Sequence, residues 1–344
     1  MVTDALDLKE EGLVYSSDTQ PGIRRVRRGK GFTYRGPGGE LLKERAALDR
    51  IRSLAIPPAW TDVWISSSPR GHMQATGRDA KGRKQFRYHP RWTALRDADK
   101  YSRLIGFSQA LPRIRRRVAR DLRRPQLSQE KVIATVVKLL EATMVRVGNE
   151  EYARQNGSYG LTTLRDRHAR VRGSTVRLIF KGKTGKEVEA EVTDRRVARV
   201  VRQCQELPGQ ELFAYVDGDG ARHTVSSHDV NDYLRETTGE DFTAKDFRTW
   251  AGTVLAATAL RELKGFESEA DAKRNVVAAI DRVAKRLGNT RAVCRRAYVH
   301  PAVVDSYLDG SLDGQLAGPA VESAVLSLLR RSFHKEVRRR QRAA

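Results

Sequence analysis

The chain has 344 residues, of which 39% are hydrophobic, so it is long enough for two folded domains and too apolar for a disordered basic protein. Lysine and arginine number 65 against 42 acidic residues, and this net charge of +23 indicates a polyanionic partner, for which nucleic acid is the usual candidate. A membrane-bound or secreted protein is disfavoured, because the sequence has no apolar run of about 18 residues, no amphipathic anchor or lipidation signal and no secretory leader.

Residues 1 to about 90 are predicted to form a small α+β domain. The apolar periodicity predicts one helix and three strands, which span residues 40–54, 63–66, 73–77 and 84–88. The turn at residues 79–82 favours antiparallel pairing of the last two strands. We interpret the arginine-rich stretch 23–30 as a solvated surface, which is the usual place of a run of like charges.

After residue 90 the pattern becomes mainly helical, so we place a domain boundary there and a second domain over residues 91–344. Helices are predicted over residues 113–124, after Ser128 and Asp194, and from Ser227, Thr243 and Ala270. Strands over residues 174–180 and 186–192 are predicted to form a hairpin with its tip at 181–185, and residues 217–220 a turn. The basic tail, residues 338–342, is predicted to fray as a flexible arm. The fold class is therefore α+β.

Tyr298 is predicted to lie at the end of a short helix. Gly288 suits the left-handed residue that ends the preceding helix, Thr290 can cap the next one, and His300-Pro301 is expected to end it. Two arginines come just before Tyr298, and a phenol beside cations is well placed to meet a phosphate. The alternative at this point is a tyrosine that covers the end of a hydrophobic core.

Two arginines are predicted to point into apolar surroundings. Arg146 continues the apolar stripe of the helix after Ser128, a helix that Gly148-Asn149 is expected to end. Arg248 follows Thr243 near the start of its helix and is flanked by apolar residues. A buried guanidinium is costly unless an anion meets it. An internal salt bridge would satisfy each arginine, but the second inward arginine favours a site that binds an oxyanion.

Lys183 lies at the tip of the predicted hairpin, where a lysine is usually only solvated. Gly182-Lys183-Thr184 does not fit a phosphate-binding loop, because that pattern needs glycine where Arg177 stands and a helix afterwards. No carboxylate cluster or histidine pair has metal-ligand spacing, and no Ser–His–Asp arrangement is evident. Cys204 and Cys294 lack paired spacing, which favours a reducing compartment and disfavours structural zinc.

Six motifs in this order resemble the small type IB DNA topoisomerases of poxviruses and bacteria. They are Lys81-Gly82-Arg83-Lys84-Gln85 with Tyr88, Arg146-Val147-Gly148-Asn149-Glu150, Gly160-Leu161-Thr162-Thr163-Leu164, Gly182-Lys183, Lys245-Asp246-Phe247-Arg248-Thr249, and Asn289 followed by Tyr298 and His300-Pro301. Each motif alone is weak, but together they extend over nearly the whole chain.

The resemblance implies an active site with a tyrosine nucleophile, two arginines, a lysine and one further hydrogen-bond donor. These roles fall on Tyr298, Arg146, Arg248, Lys183 and Asn289. The implied activity is the relaxation of supercoiled duplex DNA through a transient 3′-phosphotyrosine bond, with Lys183 as the general acid for the departing 5′-oxygen. Because the covalent bond keeps the energy of the broken phosphodiester, we expect no requirement for ATP, a metal or another cofactor.

The sequence departs from the poxvirus pattern at two positions. Asn289 stands where that pattern has histidine, and an amide can still donate a hydrogen bond to a phosphate oxygen but cannot carry a positive charge. Phe86 stands where the pattern has a tyrosine, and this removes a hydroxyl contact to DNA.

The architecture that the resemblance implies is a C-shaped clamp on DNA, made of the strand-rich first domain and a mainly helical, tyrosine-recombinase-like second domain. Candidate DNA contacts are Lys81, Arg83, Gln85, Tyr88 and Lys245. We expect a monomer that acts on nucleoid DNA in the cytoplasm and binds less tightly as salt rises. Two alternatives stay open: a tyrosine recombinase or integrase, which would assemble as a tetramer, and a basic DNA-binding clamp or nucleoid protein without enzymatic activity.

Overall fold

The computed structural model describes residues 8, 12–29, 31–80, 82–183, 185–263, 265–316 and 320–343. The chain divides into two compact units, Met1–Tyr101 and Ser102–Ala344, and each unit has a hydrophobic core of its own. Within the described ranges no helix is long and apolar enough to cross a membrane.

Unit 1 is built on an antiparallel sheet of five strands with the order β2-β1-β3-β4-β5. The strands are β1 (Ile23–Arg28), β2 (Gly31–Arg35), β3 (Thr61–Ile65), β4 (Met73–Arg78) and β5 (Lys84–Tyr88). Helix α1 (Arg45–Ser53) buries Ile51 against Ile23, Val63 and Ile65 of the sheet. The predicted β3, β4 and β5 are confirmed, and β5 forms one edge of the sheet.

Two features of unit 1 differ from the prediction. The basic stretch 23–30, which was interpreted only as a solvated surface, contributes strand β1, although Arg24, Arg27 and Arg28 are indeed exposed. Helix α1 begins at Arg45 and not near residue 40, because the backbone before it pairs with the end of β2: Leu42 N donates to Tyr34 O at 2.9 Å.

Most of unit 2 is helical. The helices of the rest of the chain are α2 (Pro90–Asp121), α3 (Gln129–Thr143), α4 (Glu150–Asn156), α5 (Arg195–Gln205), α6 (Ser227–Thr238), α7 (Ala244–Leu263), α8 (Glu269–Leu287), α9 (Arg291–Ala297), α10 (Pro301–Leu308), α11 (Leu312–Gln315) and α12 (Val321–Ala343). Two short 3₁₀ helices, Leu161–Thr163 and Asp166–His168, precede the sheet of this unit.

The sheet of unit 2 has three antiparallel strands, β6 (Ala169–Arg172), β7 (Thr175–Lys181) and β8 (Glu187–Thr193). The hairpin of β7 and β8 is the predicted one, whereas β6 was not predicted. A second hairpin, β9 (Ala214–Val216) with β10 (Arg222–Thr224), contains the predicted turn at residues 217–220.

Helix α3 lies in the centre of the core of unit 2. Its predicted apolar stripe is confirmed, since Val132, Val136, Leu139 and Leu140 are all almost completely buried. The side chain of Ser128 caps this helix by accepting a hydrogen bond from Lys131 N at 3.4 Å. The helix therefore begins where the local signal placed it and is held there by packing on nearly every side.

Two helical regions of the chain differ from the prediction. The helix expected over 113–124 is the end of α2, which starts at Pro90 and continues through Pro112, because an unbroken apolar face from Leu104 to Val118 packs into the core. The tail at 338–342, predicted to fray, is the last part of helix α12.

Candidate active site

Unit 2 contains a cavity of about 440 Å³ that brings together most of the predicted catalytic residues. Arg146, Lys183, Arg248 and Tyr298 line this cavity, and so does Lys245, which was predicted to contact DNA. Asn289, the fifth predicted catalytic residue, bonds to the side chain of Arg146. The residues come from five separate segments of the sequence, and only the fold of unit 2 places them side by side.

Arg248 lies in the second turn of α7 and is only 5% exposed. Its Nη1 donates to Met144 O, its Nη2 donates to Leu287 O at 2.8 Å, and its buried Nε has no hydrogen-bond partner within the described ranges. Burial, followed by the positive charge of Arg146, lowers the pKa of this guanidinium, but an arginine in a protein keeps its charge. The result is a buried cation that is oriented by two carbonyl groups and whose Nε donor is unused.

The start of α7 places Arg248 in the cavity. The carboxylate of Asp246 accepts hydrogen bonds from Thr243 N at 2.8 Å and from the Thr243 hydroxyl at 3.0 Å, which closes the first turn. Phe247 and Trp250 are buried in the core of unit 2, and Lys245 is exposed at the helix start. A guanidinium near the amino end of a helix adds to the positive end of the helix dipole.

Arg146 does not lie on a helix, contrary to the prediction. Helix α3 ends at Thr143, and Met144 takes the left-handed conformation with φ 58°. The helix cannot continue because the next carbonyl groups bond elsewhere: Arg146 O accepts from Leu161 N at 2.9 Å, and Val147 O accepts from Thr162 N at 2.6 Å. The predicted stop at Gly148-Asn149 is therefore wrong, and Asn149 instead caps the following helix α4.

Gly148 allows the Arg146 segment to approach residues 160–162 closely. Its φ is +111°, and a Cβ there would lie 2.9 Å from Thr162 Oγ1 and 3.2 Å from the carbonyl carbon of Gly160. Only glycine fits both the backbone conformation and the space. Two of the predicted motifs, the one around Arg146 and the one around Gly160, thus form a single packed unit that fixes the backbone of Arg146.

Asn289 is held by Arg146. Arg146 Nη2 donates to Asn289 Oδ1 and lies 3.5 Å from Gly288 O, and Asn289 N donates to Ala284 O at 3.0 Å. Gly288 ends helix α8 with φ 59°, as predicted, and this turn brings Asn289 to the arginine. The amide nitrogen Nδ2 of Asn289 is buried and has no hydrogen-bond partner among the described residues, so it is an unused donor there.

Tyr298 is the residue that ends helix α9, which Thr290 caps by accepting from Val293 N at 3.3 Å. This confirms the predicted boundaries of the helix. The phenol ring is partly exposed and lies 5.3 Å from the guanidinium carbon of Arg248. The guanidinium of Arg248 therefore lies over the face of the phenol ring. His300 begins the next helix, α10, by capping it.

Lys183 lies on the tip between β7 and β8 and is exposed. Its Nζ is 5.8 Å from the centre of the Tyr152 ring on α4, within the range of a cation–π contact. The end of β7 next to the tip is tied to the Gly160 segment, because Tyr159 N donates to Lys181 O at 2.8 Å. Lys183 thus lines the cavity two residues beyond a backbone bond that fixes the end of the strand.

Three of the four cations that line the cavity, Arg146, Lys183 and Arg248, have no carboxylate partner among the described residues. In the part of the chain that the structure describes, no carboxylate forms an ion pair with Arg146, Lys183 or Arg248; the arginines bond to carbonyl and amide oxygens. The internal salt bridge that the sequence left open is therefore not formed there. Positive charge held together without an anion, in a partly closed cavity, favours the binding of an external anion such as phosphate.

The other predicted DNA contacts belong to unit 1. Arg83 Nε and Gln85 Nε2 both donate to Asp79 Oδ2, at 2.9 and 3.0 Å, and Tyr88 is 45% exposed on the edge strand β5. The Tyr88 ring stacks on Phe86 with 5.9 Å between the ring centres. Lys81 lies outside the described residues.

Sequence reasoning did not single out Tyr152 and Tyr159, which also line the cavity. Tyr152 is three residues after Asn149, the residue whose side chain caps α4 and accepts from Tyr152 N at 2.8 Å. That capping pattern could have placed the ring on the Arg146 side of the helix.

Among the described residues, no three His, Cys, Asp or Glu side chains are grouped so that they could hold a metal ion.

The chain is similar to known proteins over most of its length. Residues 84–312 match the family model "Eukaryotic DNA topoisomerase I, catalytic core", and residues 31–79 match "Bacterial DNA topoisomerase IB, N-terminal domain". The chain is 32% identical to DNA topoisomerase 1B of Acanthamoeba polyphaga mimivirus over 83% of this chain and 87% of that protein. It is 20% identical to DNA topoisomerase 1B of Vaccinia virus (strain Copenhagen) over 82% of this chain and 88% of the relative.

Proposed function

The chain belongs to the type IB DNA topoisomerases, and from this premise we propose that it relaxes supercoiled duplex DNA by cutting and resealing one strand through Tyr298. In the proposed cleavage step, Tyr298 Oη forms a bond to the scissile phosphorus, and the bond from phosphorus to the 5′-oxygen breaks. The phenol proton passes to solvent and the 5′-oxygen gains a proton. The product is a 3′-phosphotyrosine ester, and religation is the reverse of this step.

The observation that carries the proposal is the position of Tyr298 beside the unpaired cations. Its ring is 5.3 Å from the Arg248 guanidinium, and Arg146 bonds to Asn289 in the same site. Negative charge grows on the phosphate oxygens as the phenol attacks. A well-placed donor can lower such a barrier by about 3–4 kcal/mol. Arg248 Nε and Asn289 Nδ2 are both buried and unbonded, so they are available for those oxygens without losing a partner first.

We assign the proton of the leaving 5′-oxygen to Lys183. A 5′-alkoxide is a poor leaving group, so a general acid at this atom accelerates cleavage. Lys183 carries its ammonium on the exposed tip of a hairpin and lines the same cavity as Tyr298. An exposed ammonium on a long side chain can reach a substrate atom above the cavity, whereas both arginines are fixed by carbonyl groups or an amide.

We propose that Arg83, Gln85, Tyr88 and Lys245 contact the DNA, together with Lys81, which the structure does not describe. Tyr88 and Lys245 present exposed side chains, while Arg83 and Gln85 would exchange their bonds to Asp79 for bonds to DNA. The proposal includes a monomer that closes as a clamp on nucleoid DNA. The net charge of +23 supports a DNA affinity that falls steeply with salt.

The test is relaxation of a negatively supercoiled plasmid in EDTA without ATP, with the products run on a denaturing gel. We expect full relaxation and a protein–DNA adduct at a 3′ end, since the phosphotyrosine ester conserves the energy of the phosphodiester. Tyr298→Phe should bind DNA normally, because only the hydroxyl is removed, and should give neither product. Relaxation by Tyr298→Phe at the wild-type rate would remove Tyr298 from the mechanism. Loss of wild-type activity in EDTA would contradict metal independence.

A further inference from the structure

Helix α7 carries Arg248 and also contacts the backbone of Tyr298. Five residues after Arg248, the side chain of Thr253 is completely buried under the segment that joins α9 to α10. Its Oγ1 lies 3.3 Å from Tyr298 O and 2.9 Å from Thr249 O, and it accepts a hydrogen bond from His300 N at 3.2 Å. The single hydroxyl proton is shared between Thr249 O and Tyr298 O, and the oxygen accepts from His300 N, so Thr253 is joined to the backbone on both sides of Val299.

Gly252, the residue before Thr253, brings the two segments into close contact. A Cβ at this position would lie 2.6 Å from Tyr298 O and 3.1 Å from Tyr298 Cβ. No side chain larger than that of glycine fits without moving the Tyr298 backbone, since real Cβ atoms do not approach a carbonyl oxygen so closely. Gly252 and Thr253 therefore fix how near the tyrosine backbone comes to α7.

The contact of Gly252 and Thr253 with the Tyr298 backbone bears on the distance between the phenol and Arg248, which matters for the reaction. Arg248 and Thr253 belong to the same helix, so their separation along its axis is constant. If Thr253 and Gly252 fix Tyr298 to that helix, they also fix the phenol with respect to Arg248. Helix α9 is a single short helix of 7 residues and offers little stiffness of its own.

We propose that Thr253 and Gly252 are positioning residues for Tyr298, which hold the nucleophile in register with Arg248. This inference rests on the proposed function, because it takes Tyr298 as the attacking group. Neither residue touches the substrate in this proposal. A misplacement of a reacting group by about 1 Å can lower a rate by about 10²-fold. The loss of one hydrogen bond that holds the nucleophile in place can therefore lower the rate of the cleavage step.

The experiment measures single-turnover cleavage of a duplex oligonucleotide with a mapped cleavage site, arranged so that the cut end is released. Thr253→Val keeps the shape of the side chain and removes the hydroxyl, and we expect the cleavage rate constant to fall by about 10–10²-fold. Thr253→Ser restores the hydroxyl and should stay within about threefold of wild type. The final amount of adduct and the DNA affinity should not change, because the fold and the cations are intact.

A matched control lies on the same helix. Thr258 Oγ1 donates to Val254 O at 2.9 Å, a bond of the same kind as that from Thr253 to Thr249, but no bond joins it to the Tyr298 segment. Thr258→Val should therefore cleave at the wild-type rate. On a substrate with a bridging sulfur at the 5′ position, Thr253→Val should be slowed as strongly as on the normal one, because nucleophile position matters for both leaving groups.

Each result decides the inference. Wild-type cleavage by Thr253→Val, no rescue by Thr253→Ser, or equal slowing by Thr258→Val would overturn it. If Thr253→Val gave only a smaller fraction of active protein at an unchanged rate constant, the role would be structural and the inference would also fail. Absence of an adduct in the wild type would instead contradict the proposed function. Gly252→Ala supplies a second test and should slow cleavage without weakening DNA binding.

Discussion

Arg146 donates a hydrogen bond to the amide oxygen of Asn289, and this bond fixes which way the amide faces. If the amide were turned over, its NH₂ group would meet the guanidinium, donor against donor. The nitrogen must therefore face away from Arg146, where it is buried and unbonded. At a position where poxvirus enzymes were expected to have histidine, the asparagine has a defined donor without a charge.

Asn289 should contribute to DNA cleavage through its Nδ2 donor. We expect Asn289→Ala to lower the single-turnover cleavage rate by about 10²-fold, the effect of losing one well-placed donor to a developing oxyanion. Asn289→Asp should be slower still, since its carboxylate can accept from Arg146 but places negative charge beside the phosphate. Asn275→Ala on α8, whose amide bonds to Tyr307 Oη at 2.7 Å, is the control. An Asp variant as fast as the Ala variant would show that no phosphate oxygen lies at this position.

Lys183→Ala should slow cleavage of a normal strand strongly and cleavage of a strand with a bridging 5′ sulfur much less. A thiolate leaves without a proton, so the better leaving group makes the general acid unnecessary. The measurement is the ratio of the two single-turnover rates. Lys186→Ala, an exposed lysine on the other side of the same hairpin tip, should leave the ratio unchanged. Equal slowing on both substrates would remove the general-acid role from Lys183.

Gly148→Ala should slow DNA cleavage strongly, because it displaces the backbone of Arg146. The added Cβ collides with the Thr162 hydroxyl at 2.9 Å and strains a φ of +111°, so the segment that carries Arg146 must move. We expect at least about a 10²-fold loss in cleavage rate. Gly157→Ala is a matched control, because its φ is also positive, +56°, but the new Cβ meets nothing within 4 Å. If both variants lost the same activity, backbone strain alone and not displacement of Arg146 would be the cause.

Asp121 should stabilise unit 2 in a pH-dependent way. Its buried carboxylate accepts from Tyr233 Oη at 2.9 Å and from three arginines, Arg117, Arg120 and Arg124, at 3.1–3.4 Å. Burial raises the pKa of Asp121, but the hydrogen bonds from Tyr233 and the arginines outweigh it, so its pKa is lowered overall. A lowered folded-state pKa means that this stabilisation is complete above the unfolded value of about 3.9 and is lost as pH falls through the folded value.

We therefore expect Asp121→Asn to lower the free energy of unfolding at pH 7 by about 3–5 kcal/mol, as when one partner of a buried pair is removed. The difference from wild type should shrink at pH values below about 4. Urea unfolding of both proteins at neutral and acid pH measures this, with the exposed Asp219→Asn as the reference. A difference that stays constant with pH would mean that the charge of Asp121 does not contribute.

The features that sequence predicted best are those decided by neighbouring residues. Ser128, Thr290 and Gly288 each act within one turn of their own helix, and each begins or ends it where expected. Arg146 was placed on a helix because its spacing fits the stripe of α3. The carbonyl groups that end that helix are bonded by residues about 15 positions later, and no local pattern carries this information.

In the candidate site, too, the features that depend on distant parts of the chain could not be predicted from local sequence. Its residues were identified through a family resemblance, since isolated lysines, arginines and tyrosines give weak signals. The bond between Arg146 and Asn289, and the unused donors beside it, depend on how α8 ends against the Arg146 segment. Strand β1 was missed for a different reason: its arginines are exposed, as predicted, but backbone pairing to β2 does not require apolar side chains.

The bonds of Arg248 to Met144 O and Leu287 O join the carboxyl ends of α3 and α8, where helix dipoles are negative. In the absence of substrate, these two ends take the place of a counter-ion, and they orient the guanidinium before any phosphate arrives. Substrate binding then need not immobilise it, which removes an entropic cost. Lysine could not replace this residue, because one ammonium group cannot bridge two helix ends and still direct a separate donor at a ligand.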